Sequence, residues 1–284
     1  MNYRHAFHAG NFADVLKHVV LVALIERLAL KESPLFFLDT HAGRARYDLE
    51  SIEARRSREA EAGIRRVAAA RGLPPLARRY VELVRAFDAG DAASLRWYPG
   101  SPRLAAALLR PQDHAALCEI EPGEAQELRR EFAGDRRFGV HERDGYEALK
   151  GLLPPREKRG LVLVDPPYEE QERELTTVTE ALVAAHERWP QGVLAVWYPI
   201  KHGAPTQRFL ERIRRAGLKR SLAAELCLHP ADSRVGLNGS GMLCVNAPWQ
   251  VDELLAGTLP ALHRALSPDG HGSASVTWIV PPAR

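Results

Sequence analysis

Asp165-Pro166-Pro167-Tyr168 directly follows the apolar run Leu161–Val164. In an open α/β sheet, ligands bind outside the carboxyl ends of the strands, so a polar string at that point faces the expected cleft. Its residue types suit one task. An exocyclic amine on a purine is a poor nucleophile, because its lone pair is drawn into the ring. Two acceptors on its N–H groups would aim that lone pair. Asp165 offers a carboxylate, and Pro166 offers a carbonyl on backbone that proline stiffens. Tyr168 offers a flat face for stacking a base. A proline turn with Asp capping the next helix would use some of the same residues, but the full acid-Pro-Pro-aromatic string at a strand end favours chemistry.

Asp39-Thr40-His41-Ala42-Gly43-Arg44-Ala45 follows the apolar run Leu35–Leu38. A loop of small residues there lets backbone come close to a cofactor. Glu119 ends the run Ala115–Cys118 and could hold ribose hydroxyls, with Glu121 competing for that role. Asp144 follows Phe138–Val140 and could hold an adenine ring. Acids are common in ordinary loops, but acidic loop ends in strand order suit a nucleoside cofactor. No GxGxxG string marks a dinucleotide site.

Parallel strands are needed to position these residues. Five short apolar runs, each ending in a polar or Gly/Pro loop, read as buried parallel strands: Leu35–Leu38, Ala115–Cys118, Phe138–Val140, Leu161–Val164 and Gly192–Val196. Glu124–Phe132 and Glu172–Arg188 read as crossover helices, giving a doubly wound α/β sheet. Leu222–Leu228 and Gly241–Asn246 have no convincing helix between them and read as an antiparallel pair at a sheet edge. A last strand-like run, Ala274–Val280, ends at Pro281-Pro282. Residues 47–97 break the rhythm. They carry helical periodicity, no strand, and a divider at Gly72-Leu73-Pro74-Pro75, so they read as a small helical insertion. The chain then divides into 1–46, with the N-terminal tail and first part of the core, 47–97 as the insertion, and 98–284 as the rest of the core.

The whole chain has 284 residues and a net charge of only +3. From Arg44 to Arg103, however, thirteen Arg face eight Asp or Glu and there is no Lys. Arg grips phosphate through a planar fork of donors, although the same residues could form an ion-paired helical face. No stretch approaches the roughly 18 apolar residues a membrane span needs, and the polar, His-rich start lacks the apolar core of a signal peptide. A cytoplasmic protein is expected. Cys118, Cys227 and Cys244 lie far apart and suit small buried groups in a reducing compartment. His5 and His8 have helical spacing, but no further ligands follow, so no metal is expected. The segment Tyr3–Asn11 suits a tail folding over the cleft, ahead of a helix bearing Lys17 and His18.

Taken together, YRHAFHAGNFADVLKH, LDTHAG, WYPGSP, CEIEP, RDGYEAL, VDPPY, VWYPI and GSGMLCVNAPW resemble the RlmJ-type 23S rRNA adenine-N6 methyltransferases over nearly the whole chain. The DPPY string is shared by many amino-group methyltransferases; the N-terminal string and WYPGSP are more specific. The resemblance implies a Rossmann-like class I core of seven strands, mostly parallel, with a small helical subdomain inserted after the first strand. It implies S-adenosyl-L-methionine as cofactor and a specific adenine of naked or incompletely assembled 23S rRNA as substrate. By position, it implies that His18, His41, Ser101, Glu119, Asp144, Gly145 and Asp165 bind the cofactor. Asp165, Pro166 and Tyr168 would be catalytic, and Tyr3, His5 and Lys17 would lie near the target adenine. The family's first loop carries a second glycine where this chain has Ala45. A monomer without an obligate protein partner is expected. Two rivals remain: a DNA adenine-N6 methyltransferase, and an rRNA-binding assembly factor that has lost catalysis.

Overall fold

The alternation of apolar runs and helical stretches becomes, in the computed structural model, one eight-stranded sheet with helices on both faces. The structure describes residues 4–88, 95–230 and 232–282. In chain order the strands are β1 (Phe36–Asp39), β2 (Arg46–Asp48), β3 (Trp97–Pro99), β4 (His114–Glu119), β5 (Phe138–Glu142), β6 (Gly160–Val164), β7 (Val193–Ile200), β8 (Ser221–Cys227), β9 (Gly239–Val245) and β10 (Ser273–Val280). The helices are α1 (Phe12–Ala29), α2 (Ile52–Ser57), α3 (Arg66–Ala69), α4 (Pro75–Asp88), α5 (Ser101–Leu108), α6 (Pro122–Glu131), α7 (Gly145–Leu152), α8 (Gln171–Arg188), α9 (Pro205–Arg215) and α10 (Val251–Leu266). A short 3-10 turn at His5–Phe7 precedes α1, and a π turn at Glu61–Arg65 precedes α3.

The sheet order is β10-β8-β9-β7-β6-β1-β4-β5. β5, β4, β1, β6 and β7 run parallel, while β9, β8 and β10 are added by antiparallel pairing. This is the doubly wound, Rossmann-like arrangement. β8 and β9 do pair antiparallel, but they are not the edge: β10 lies outside β8, and the sheet has eight strands where the resemblance implied seven. β10 is half exposed along most of its length, as an edge strand is, so it lacks the fully apolar signature of its buried neighbours.

Each buried strand feeds two cores because successive side chains point to opposite faces. Phe37, Leu117, Leu161 and Leu163 pack with α1, α4, α5 and α10. Leu38, Cys118, Val162 and Val164 pack with α7, α8 and α9. Helix α1 begins at Asn11, whose side chain accepts from Asp14 N at 2.9 Å. Every residue from Ala13 to Ile25 is buried. A helix closed in on all sides needs neighbours on all sides, and α1 has them in α4, α5, α10 and β9.

Between β1 and α5 the expected helices form, with α4 starting at Pro75. A two-stranded ribbon also forms there, which the sequence did not announce: β2 pairs β3 through Arg46↔Pro99, Tyr47↔Tyr98 and Asp48↔Trp97. Three residues per strand are too few to show a period of two. Ile64, Val67, Tyr80 and Val84 of this segment share one core with α1. Gly63 docks against the N-terminal segment so closely that a Cβ there would lie 2.1 Å from Gly10 O, and Ile64 N donates to the same oxygen at 2.8 Å. Among the described residues no helix is long and apolar enough to cross a membrane.

Candidate active site

Because β1, β4, β5 and β6 are parallel, their carboxyl ends lie on one side. Asp39, Glu119, Asp144 and Asp165 end or follow these strands in that order. Over β1 and β6 the chain adds the first turns of α1. Lys17 Nζ lies 2.6 Å from Asp165 Oδ2 and 2.8 Å from Asp14 Oδ1. The other Asp14 oxygen accepts from Gly10 N at 2.9 Å and is 3.1 Å from His5 Nε2. Lys17 is 5% exposed and Asp14 3%. Burial alone would raise the Asp14 carboxyl, but His5 and Lys17 beside it hold it well below the usual carboxylate range. Burial would likewise lower Lys17, and the two carboxylates hold it well above its usual value. Asp165 thus stands opposite a fixed ammonium, with its second oxygen uninvolved in that pair. His5 sits with its ring edge-on to Tyr47, centroids 4.7 Å apart. Tyr3 lies outside the described residues.

At the end of β1, Asp39 is fully buried. It accepts from Ser101 Oγ at 2.7 Å through Oδ2 and from His41 N at 3.3 Å through Oδ1. Burial is the main cause pushing its carboxyl up to about 7. The His41 ring lies edge-on to Tyr146 at 5.6 Å, and burial pushes it down to about 4. His18 is completely buried and burial pushes it down to about 3. Its Nδ1 is 2.8 Å from Tyr98 Oη, and its Nε2 has no partner among the described residues. A buried, unpaired ring nitrogen carries a cost unless something else meets it.

Glu119 accepts from Gly43 N at 2.8 Å and Glu121 N at 2.9 Å, one bond to each oxygen. It therefore ties the first loop to β4, with acceptor capacity left on both oxygens. The Glu121 carboxylate instead caps α6, accepting from Glu124 N. Asp144 caps α7 with Oδ1, which accepts from Tyr146 N and Glu147 N at 2.8 and 2.9 Å. Gly145 is where α7 meets the first loop: a Cβ would lie 2.3 Å from Thr40 O. Ala45 is buried with φ of +66°, the left-handed region that glycine fills without strain. The sequence's departure from the family pattern thus falls on a residue whose backbone still adopts the glycine-like conformation.

One expectation needs revising. Tyr168 is 9% exposed, its hydroxyl donates to Trp197 O at 2.6 Å, and its ring meets that of Trp197 edge-on at 5.4 Å. It belongs to the apolar core under α8 and is not a free-standing platform. Pro166 beside Asp165 is buried. Asp14, Tyr98 and Ile120 were given no individual role from the sequence. Asp14 stands three residues before Lys17, a legible helical pair. Ile120, next to Glu119, is 51% exposed, which is unusual for a large apolar side chain at the mouth of a polar cleft. Among the described residues no cluster of His, Cys, Asp or Glu could hold a metal ion.

Much of the Arg-rich segment is paired. Arg55 and Arg65 meet Glu50, Arg79 meets Glu26, and Arg96 meets Asp48. Arg44 and Arg103 meet Glu124 and Glu131 on α6. Arg56, Arg58, Arg71 and Arg78 are exposed.

Comparison with known proteins agrees over nearly the full length. A family model described as ribosomal RNA large subunit methyltransferase D, RlmJ, matches residues 32–280. The ribosomal RNA large subunit methyltransferase J of Escherichia coli is 41% identical over 281 residues, covering 99% of each chain. Its namesake from Haemophilus influenzae is 40% identical over the same span. A crystal structure of a Legionella pneumophila protein superposes with a TM-score of 0.87 at 35% identity, covering 95% of this chain and 98% of that one.

Proposed function

Since the chain belongs to the RlmJ family of ribosomal RNA large subunit methyltransferases, we propose that it methylates N6 of a specific adenine in protein-free or incompletely assembled 23S rRNA, using S-adenosyl-L-methionine. The observation that carries the catalytic part of this reading is the Lys17–Asp165 pair at the end of β6. It fixes one oxygen of the carboxylate and leaves the other to accept from a substrate amine.

The residues fit the cofactor on chemical grounds. Glu119 has spare acceptor sites for vicinal ribose hydroxyls, and Asp144 keeps Oδ2 for the exocyclic amine of an adenine. Ile120 offers an exposed apolar surface beside them. Gly145 permits the close contact of α7 with the first loop. His18, His41 and Ser101 would serve the amino-acid end, where the unmet His18 nitrogen awaits an acceptor or donor. Bound there, the cofactor supplies an electrophilic methyl group on a sulfonium, and that chemistry is its own.

The protein's part is orientation. The target adenine has to leave its stack to enter the cleft. Asp165 Oδ1 and the Pro166 carbonyl accept its two N6–H bonds and turn the nitrogen lone pair outward. The N6 proton then passes to Asp165 Oδ1 or to water. Tyr168, locked to Trp197 O, keeps the Asp-Pro-Pro turn rigid, with its ring edge as the remaining contact. His5, tied to Asp14, holds the segment ahead of α1 beside the base. Residues 47–97 act as the RNA-facing unit through Arg56 and Arg58, with single-stranded or irregular RNA as the fitting shape. This reading needs no protein partner and sets the enzyme in the cytoplasm, where rRNA is made and folded.

Methyl transfer from labelled S-adenosylmethionine to protein-free 23S rRNA, beside 16S rRNA and double-stranded DNA, tests it. Label recovered as N6-methyladenosine from 23S rRNA supports reaction and substrate together. Label in DNA alone overturns the substrate and keeps the chemistry. Bound cofactor with no transfer to any nucleic acid overturns the enzymatic reading.

A further inference from the structure

Three fully buried side chains form a hydrogen-bonded row leading to the unmet nitrogen of His18. Tyr80 Oη on α4 lies 2.8 Å from Tyr98 Oη on β3, and Tyr98 Oη lies 2.8 Å from His18 Nδ1 on α1. All three residues are 0% exposed. His18 is neutral in this setting, since burial pushes it down to about 3. The row therefore holds three hydrogens, one on each hydroxyl and one on the ring.

Counting decides where they lie. Suppose His18 carried its hydrogen on Nδ1 and gave it to Tyr98. If Tyr98 then donated to Tyr80, the Tyr80 hydrogen would have no acceptor among the described residues, and Nε2 would keep a bare lone pair. If Tyr80 donated to Tyr98 instead, the Tyr98 hydrogen would be stranded, and Nε2 would again be bare. Both arrangements leave two buried groups unmet. Only Tyr80 donating to Tyr98, and Tyr98 donating to Nδ1, leaves one: the hydrogen on Nε2. Each buried unmet group is costly, so this arrangement prevails.

We infer that Tyr80 and Tyr98 are positioning residues that set the His18 tautomer, so that Nε2–H is presented as a donor to the carboxylate of the cofactor's amino-acid end. The choice of end follows from strand order. Glu119 and Asp144, suited to the nucleoside, close β4 and lead from β5, on one side of β1. Helix α1 lies against Asp165 at the end of β6, on the other side. An imidazole with the opposite tautomer would turn a lone pair toward that anion. Because α4 lies within residues 47–97, the Arg-rich segment itself contributes to cofactor selection. The acceptor rests on the cofactor reading above; the tautomer does not.

Nitrogen-15 NMR of histidine-labelled wild-type protein, without ligand, reads the tautomer directly. The expected spectrum has His18 protonated at Nε2 and bare at Nδ1; protonation at Nδ1 overturns the relay and leaves the cofactor reading intact. Calorimetry supplies the acceptor. Tyr98→Phe, which frees His18 to take either tautomer, is expected to weaken S-adenosylhomocysteine binding by about a few-fold, and Tyr80→Phe by less. Neither should change binding of 5′-methylthioadenosine, which lacks the carboxylate. Equal weakening of both compounds overturns the carboxylate assignment. Wild-type protein that binds neither compound overturns the cofactor reading, and the acceptor with it.

Discussion

The Lys17 ammonium lies between Asp14 and Asp165, 2.8 Å from one carboxylate and 2.6 Å from the other. One buried cation thus joins the N-terminal segment, which Asp14 holds through Gly10 and His5, to the turn that would receive the substrate amine. Loss of any of the three should be felt by the other two, but in different measurements.

Asp165→Ala should lower methyl transfer by more than about 100-fold, the scale of a positioned proton acceptor. S-adenosylhomocysteine affinity should change only a few-fold. Single-turnover transfer and calorimetry read the two effects separately. A variant that keeps full rate would remove Asp165 from the reaction.

Lys17→Met leaves the buried Asp14 carboxylate and the partly exposed Asp165 without their shared cation, and should cost about 3–5 kcal/mol in denaturant unfolding. The pH dependence has a definite sign. Asp14 is held below its usual value, so its contribution is present above pH 3.8 and is lost as pH falls through its folded value. Lys17 is raised, so its contribution is present up to pH 10.5 and is lost only at higher pH. Wild-type stability should drop on the acid side below about pH 4. Asp14→Asn should flatten that limb, and an unchanged limb would assign the acid loss to other carboxylates.

Asp39 should behave in the opposite way. Its carboxyl is raised to about 7, so the folded protein keeps a proton that the unfolded chain releases near 3.8. Stability should therefore fall as pH rises between those values and level off above them. Asp39→Asn should unfold about 1–3 kcal/mol less readily than the parent at pH 8, with Ser101 still able to bond the amide. Equal stability of the two proteins at pH 8 would show that the carboxylate is tolerated there.

Arg56→Glu with Arg58→Glu should weaken binding to protein-free 23S rRNA and reduce the salt slope by about 0.7–0.9 for each phosphate that the variant no longer neutralises. Arg55 is the internal comparison, because Glu50 already engages it. Unchanged affinity across a salt titration would move the RNA platform away from α2.

Ala45→Gly should change unfolding stability by no more than about 1 kcal/mol. Relief of a left-handed alanine is offset by loss of a buried methyl group and by added freedom in the unfolded chain. Cofactor affinity should stay within a few-fold. Tenfold tighter binding would mean that the methyl group displaces the loop.

The row of acids was legible in the sequence because parallel strands end on one side, so an acid after each apolar run has a defined location. The helices were legible from their period. Tyr168 was misjudged because burial depends on what packs above it, and the α8 core with Trp197 is distant in sequence. The β2–β3 ribbon was too short to show periodicity. Asp14 could be recognised as a neighbour of Lys17, but its bonds to Gly10 N and His5 depend on the chain turning back before α1. Nothing in the spacing of Tyr80 and Tyr98 announces a shared hydroxyl row with His18.

The place of β1 at the middle of the parallel strands has a consequence for biosynthesis. Its partners are β4, starting at His114, and β6, ending at Val164. At roughly 5–20 residues per second, a nascent chain waits on the order of ten seconds between making Asp39 and making the strand that flanks it. During that interval α1, apolar on nearly every side, has no sheet to lie against. The Asp165 turn and Lys17 cannot meet until that strand has left the exit tunnel. Until then the growing polypeptide lacks the Lys17–Asp165 pair and carries an apolar helix with nothing to cover it.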